Sequence, residues 1–183
     1  MDHFTRVSSE VVHPWAMFSL VQAVVMAPDG QQFHRSFVDS PGAVGVVALT
    51  DDGQVVLVSQ YRAAIDAVLT EIPAGLRDVA GEEPLLTAQR ELAEEVGLEA
   101  REWTWLGRIT SAPGVTNSTV EIFLARGLVS VPNDPHGPEE DHMTVAYVPL
   151  ERAVDEVVNG RLTDSKTCVG VLLADRLVRH DTV

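Results

Sequence analysis

The sequence predicts an α/β domain with a mixed sheet between helices, and three observations carry that reading. Residues 42–49, GAVGVVAL, are an unbroken apolar run of strand length, the pattern of a strand covered on both faces. Around it lie alternating segments separated by the turn signals Pro28-Asp29-Gly30 and Asp51-Asp52-Gly53. Ala88, Leu92 and Val96 then recur at i, i+4 and i+8, with Leu85 on the same side, which is the apolar stripe of a surface helix.

Each element follows in chain order. Residues 10–40 alternate as strands do, with Phe18–Val25 and Gln32–Val38 joined as a hairpin through the turn at 28–30. The buried strand at 42–49 turns at 51–53 into another strand, Gln54–Tyr61. Pro73-Ala74-Gly75 reads as a turn in which bare backbone comes close to a ligand. A helix spans about Leu85–Val96, with Gly97 where a C-cap glycine belongs. Trp103–Thr110, Val120–Leu124 and Thr144–Pro149 read as further strands. Glu151–Asn159 has helical spacing and stops at Gly160, and Asp164 caps a last helix that runs to Leu177. The one long loop is 132–140, PNDPHGPEE. No internal repeat or low-complexity segment interrupts this order.

The 183 residues suffice for one well-packed domain with a small extra subdomain. A formal net charge of −14 argues against nucleic acid and anionic membrane surfaces as partners. A small phosphorylated ligand stays compatible with it, because a metal ion and a few local arginines outweigh the global field. Cys168 is the only cysteine, so no intrachain disulfide forms, and a reducing cytoplasm is the expected location. No run of 18 apolar residues exists, so no membrane span is expected, and MDHFTRVSSE lacks the order of a signal peptide. The six histidines have no metal-ligand spacing, and no Gly-x4-Gly-Lys-Ser/Thr loop exists.

The chemistry concentrates in Arg90-Glu91-Leu92-Ala93-Glu94-Glu95-Val96-Gly97-Leu98. Glu91, Glu94 and Glu95 stand at i, i+3 and i+4, within an arc of roughly 100° on a helix. Like charges at this spacing repel, so something positive must neutralise them. Arg90 pairs with Glu94 at i, i+4, and oxygen-only donors point to Mg²⁺ or Mn²⁺. Taken alone, the cluster is also what a solvated glutamate-rich face looks like. With seven residues between Glu82 and Arg90, however, the stretch resembles the Nudix box: glycine, five residues, glutamate, seven residues, then R-E-U-x-E-E-x-G-U, where U is aliphatic. The departure is in the loop, where six residues rather than five separate Gly75 from Glu82.

The resemblance implies a Nudix α/β/α sandwich with a mixed sheet. It divides the chain into a small N-terminal β-subdomain, 1–41, and a hydrolase domain, 42–183. In ADP-ribose pyrophosphatases such a subdomain is exchanged between the protomers of a homodimer. It also implies water attack on a phosphorus of a nucleoside diphosphate linked to a group X. By resemblance Glu91 and Glu95 are the principal metal ligands and Glu94 a further one. The Ala74 carbonyl completes the set, and Arg90 orients the glutamates. The attacking water needs a base, which the resemblance places in the acidic stretch Glu139-Glu140-Asp141. Glu139 is the first choice, with Glu140 or Asp141 as an extra metal ligand.

Gln60-Tyr61-Arg62, followed by Glu71-Ile72-Pro73-Ala74-Gly75, resembles the ADP-ribose and sugar-nucleotide branch, in which this arginine reaches the diphosphate. Arg62, Gly75 and Gly114 are therefore the expected substrate contacts. Ala112-Pro113-Gly114 matches that branch's loop over the substrate. The branch continues Gly-aromatic-Ser/Thr-Asp-Glu, whereas Val115-Thr116-Asn117-Ser118 stand here, and Thr70 replaces a tryptophan before Glu71. The expected activity is Mg²⁺-dependent cleavage of ADP-ribose or a related nucleoside diphosphate sugar. The alternatives are the same reaction on another X, or a domain that senses such a nucleotide without turning it over. A sensor is expected to lose a box glutamate, and this chain keeps all four.

Overall fold

The computed structural model describes residues 3–132 and 142–181. The chain forms two compact units, residues 1–42 with 110–119, and residues 43–109 with 120–183. In the first, β1 (Thr5–Trp15), β2 (Phe18–Met26) and β3 (Gln32–Asp39) make an antiparallel sheet in the order β1-β2-β3. The hairpin read at 28–30 connects β2 to β3, pairing Met26 with Gln32. Residues 110–119 belong to this unit because the Val38 N–H donates to the Val115 carbonyl at 2.8 Å. The Thr116 hydroxyl donates to the Val38 carbonyl, also at 2.8 Å.

Among its described residues the second unit contains two sheets where the sequence suggested one. The mixed sheet has the order β7-β4-β9-β8, built from β4 (Ala43–Ala48), β7 (Ala74–Leu76), β8 (Leu98–Thr110) and β9 (Thr119–Ser130). β4 pairs parallel with β9 and antiparallel with β7. The other sheet is antiparallel, in the order β10-β5-β6, built from β5 (Gln54–Arg62), β6 (Ala67–Glu71) and β10 (Thr144–Pro149). The short strand β7 takes in Ala74 and Gly75 of the Pro73–Gly75 segment read as a turn. Three residues containing a glycine give no alternation to detect, and only pairing with β4 fixes them as a strand.

Helices cover both faces. Side chains alternate across a strand, so Val44, Val46 and Ala48 of β4 meet Ala88 and Leu92 of α1 (Pro84–Val96). Val47 faces the other way, into a cluster with Leu150 and Ala153 of α2 (Leu150–Val158) and Val171 and Ala174 of α3 (Ser165–Asp181). Val55 and Leu57 of β5 join that second cluster, and Val56 joins the first. The result is the expected α/β/α layering. The stripe on α1 is shorter than anticipated: Ala88 and Leu92 are fully buried, but Leu85 is exposed. Among the described residues no helix is long and apolar enough to cross a membrane.

Candidate active site

The box helix α1 starts at Pro84, whose missing N–H costs nothing in a first turn. It ends at Gly97, left-handed at φ 63°, where the cap N–H reaches the Ala93 carbonyl at 3.0 Å. Burial of Ala88 and Leu92 fixes its rotation and turns the carboxylates toward β7. The Ala74 N–H donates to Glu95 Oε2 at 2.9 Å. Glu91 lies on the bare Cα of Gly75: a Cβ there would stand 1.9 Å from the Glu91 carboxyl carbon. The sequence led to the expectation that bare backbone here meets a ligand; the group that stands against Gly75 in the structure is the Glu91 carboxylate.

Arg90 is the hub of the cluster. Its Nη1 donates to Glu91 at 2.9 Å and to Glu94 at 3.0 Å, and its Nη2 to Asp78 at 3.0 Å and Glu82 at 3.4 Å. Burial works against the Arg90 charge, but Glu91, Glu82 and Glu94 outweigh it and hold the guanidinium firmly protonated. In the loop before the helix the Glu82 N–H closes a turn onto the Val79 carbonyl at 3.1 Å. Glu82 still reaches the helix, accepting from the Thr87 hydroxyl at 2.9 Å.

One arginine does not balance these carboxylates. Burial, then the neighbouring Glu94 and Asp78, push the Glu91 carboxyl up to about 7 in spite of Arg90. The donors are all oxygen, packed against a backbone that a side chain would obstruct. That set suits a hard divalent cation. Among the described residues no group of three or more His, Cys, Asp or Glu side chains is placed to hold a metal ion as it stands; Arg90 and the Ala74 N–H occupy the box carboxylates instead. Glu139, Glu140 and Asp141 lie outside the described residues.

Arg62 ends β5, with its side chain 41% exposed, and grips Glu71 through two bonds, Nε to Oε1 at 2.6 Å and Nη2 to Oε2 at 2.8 Å. The Glu71 bond holds the Arg62 charge in place, with Glu95 and Asp164 adding to it. Burial penalises the Glu71 carboxylate, but Arg62 and Lys166 together bring it below the ordinary range. Arg62 thus belongs with the box carboxylates in the same unit. Gly114 is in the first unit, lining a cleft of about 380 Å³ with Arg6, Arg35 and Phe37. Neither a positive φ nor a close neighbour demands glycine there. The residues that depart from the branch pattern serve as a clip: Asn117 accepts from the Ser40 N–H at 2.9 Å and donates to Asp39.

Sequence reasoning named Glu71 only as part of a motif, without a role, and passed over Lys166 and Thr167. A lysine in the first turn of a helix opposes the helix dipole, and that misfit was a usable signal. Asp164 was read as the cap of α3, and it is: its Oδ2 accepts from the Thr167 N–H at 2.9 Å.

A model of the NUDIX domain matches residues 39–165. The chain is 42% identical to the ADP-ribose pyrophosphatase of Mycobacterium tuberculosis (strain ATCC 25618 / H37Rv), over 92% of this chain and 82% of that protein. It is 33% identical to the ADP-ribose pyrophosphatase of Bacillus subtilis (strain 168), over 90% and 89% of the two chains. The crystal structure of an ADP compounds hydrolase superposes with a TM-score of 0.84, covering 98% of this chain and 96% of that one; at 21% identity the likeness is one of fold. Box spacing, layered fold and matched span agree, and the chain belongs to the Nudix family.

Proposed function

We infer that this protein is a Mg²⁺-dependent pyrophosphohydrolase that cleaves ADP-ribose, or a related nucleoside diphosphate sugar, to a nucleoside monophosphate and a sugar phosphate. The observation that carries the reading is the set of box carboxylates seated against Ala74 and Gly75, with the Glu91 carboxyl filling the space of a missing Cβ. Relatives named ADP-ribose pyrophosphatase, matched over most of their length, support the substrate class.

In this reading Glu91, Glu95, Glu94 and the Ala74 carbonyl would hold the cation, Mg²⁺ or Mn²⁺, with Glu140 or Asp141 adding to the set. When bound, it would supply charge neutralisation at the diphosphate and a lowered pKa for the attacking water. Arg90 keeps Glu91 and Glu94 in one orientation through its fork of donors. Arg62 has five N–H donors; two are spent on Glu71, and the Nη1 pair remains for a diphosphate oxygen. Glu139 takes the proton from the attacking water as its oxygen bonds to phosphorus, and the bridging P–O bond breaks toward the departing phosphate.

Residues 1–41 are proposed as the dimerisation element of a cytoplasmic homodimer. β1 is exposed along almost its whole length, with Val7, Val11 and Val12 facing solvent, which suits pairing with a second copy. Light scattering that returns a monomer mass at micromolar concentration would remove this part of the reading.

The test of activity is a panel of nucleoside diphosphate sugars incubated with Mg²⁺ and a phosphatase that acts only on newly formed monoesters. Glu95→Gln, which preserves an oxygen for the Ala74 N–H, is the control. Phosphate release from ADP-ribose that disappears in the variant is the expected outcome. Release only from another compound keeps the chemistry and moves the substrate. Silence with tight nucleotide binding favours the sensor alternative.

A further inference from the structure

Glu71 and its neighbours form a relay that the box does not include. The carboxylate is 2% exposed and sits at the end of β6, two residues before Pro73 and three before Ala74. Both its oxygens are engaged by Arg62, and Oε2 is also bonded by the Lys166 ammonium from the first turn of α3. Lys166 is itself largely buried, at 12% exposure, and its second partner is Asp164 Oδ2 at 3.0 Å. The adjacent Thr167 hydroxyl accepts from the Ile72 N–H at 2.8 Å and donates to Asp164 at 2.6 Å. Pro73 then accepts from the Val46 N–H at 2.8 Å, and Ala74 donates to Glu95. A series of hydrogen bonds and peptide links therefore runs from the start of α3, through Glu71, to both Arg62 and β7, against which the box carboxylates of α1 sit.

A cation in the first turn of a helix opposes the dipole, and burying an ammonium costs several kcal/mol unless it is paired. Here it is paired twice. Solubility does not call for a lysine with almost no contact with water. Its geometric effect is on Glu71: without it, a carboxylate that two cations now hold in place is left to one, and that one is half exposed.

We propose that Lys166 is a positioning residue for substrate binding, holding Glu71 so that Glu71 presents the Arg62 guanidinium to the substrate diphosphate. This rests on the pyrophosphohydrolase reading, in which Arg62 meets the diphosphate. Lys166 does not itself touch the reacting atoms. Its loss leaves Arg62 free to swing with Glu71. The effect falls on binding rather than on the chemical step.

The test is Lys166→Met, with Lys166→Gln as the second variant in case the first fails to fold. Each is made in the wild-type and in the Arg62→Ala background. Two readouts are compared: KM and kcat for ADP-ribose, and the calorimetric Kd of the α,β-methylene analogue of ADP-ribose, which does not depend on turnover. Expected is a roughly tenfold rise in KM and in Kd, the size of one charge-assisted contact, with kcat changed less than threefold. In the Arg62→Ala background the same substitution changes neither, because the two residues act as one unit. A folded variant with wild-type KM and Kd overturns the inference, and so do effects that multiply in the double variant. Wild-type protein that binds the analogue but cleaves nothing overturns the pyrophosphohydrolase reading alone, leaving Lys166 to be judged by Kd. Wild-type protein that binds neither compound overturns both.

Discussion

Replacing Gly75 by alanine isolates the contact on which the candidate site depends. The new Cβ would meet the Glu91 carboxyl carbon at 1.9 Å and both its oxygens at 2.2 Å, where ordinary contacts begin at 3.4 Å. Something must therefore move by about 1.5 Å. The backbone is held by β4, which pairs Gly75 with Val44. The glutamate is the far end of a flexible side chain, so it yields. A misplacement of about 1 Å in a reacting group costs on the order of 10²-fold in rate. Stability changes little, because Gly75 does not occupy the left-handed region. Alanine reduces the entropy of the unfolded chain by about 0.4–1 kcal/mol, which offsets the one hydrogen bond to Arg90 at risk, worth about 1–2 kcal/mol. The assay pairs kcat/KM for ADP-ribose with thermal unfolding. Expected is a fall of roughly 100-fold in kcat/KM with Tm shifted by no more than about 5 °C. Turnover within threefold of wild type would refute the argument that Glu91 must sit on bare backbone.

Other consequences are equally direct. Glu71→Gln breaks a buried pair and should lower stability by about 3 kcal/mol at pH 7, measured by urea unfolding. Arg62 and Lys166 hold the folded Glu71 carboxyl below its ordinary 4.5, so its stabilisation is complete above that value and is lost as pH falls through the depressed folded one. The difference between wild type and Glu71→Gln should therefore shrink in acid, and a difference constant from pH 7 to pH 3 would contradict the pairing. Thr167→Val leaves the buried Ile72 N–H without its acceptor and should cost about 1–3 kcal/mol in the same assay. Gly114→Ala, at a position with open space and no left-handed φ, should leave Tm within about 1 °C of wild type.

The helix at 84–96, its glycine cap and the buried strand at 43–48 were legible because each is a local pattern. A period of four, a residue at a terminus and an apolar run all show within a dozen residues. The box also fixed which carboxylates share a face. What the sequence concealed was long range. The division of the second unit into two sheets depends on β4 pairing with β9, which no local pattern encodes. The clip of Thr116 onto Val38 joins residues 78 apart, and the bond between Lys166 and Glu71 joins residues 95 apart. Side chains at such separation look like ordinary surface charges until the fold brings them together. The loop departure at 115–118 was visible, but its use as an anchor for β3 was not.

The central claim is that the box carboxylates, seated on Ala74 and Gly75, gather a divalent cation for pyrophosphate cleavage. The most direct measurement is Mn²⁺ binding, followed by electron paramagnetic resonance of the free ion, in wild type and Glu95→Gln, with ADP-ribose turnover recorded on the same samples. The account predicts that wild type binds Mn²⁺ and cleaves ADP-ribose, and that the folded variant loses at least tenfold in Mn²⁺ affinity together with its turnover. Equal Mn²⁺ affinity in the two proteins, with turnover unchanged, would contradict it.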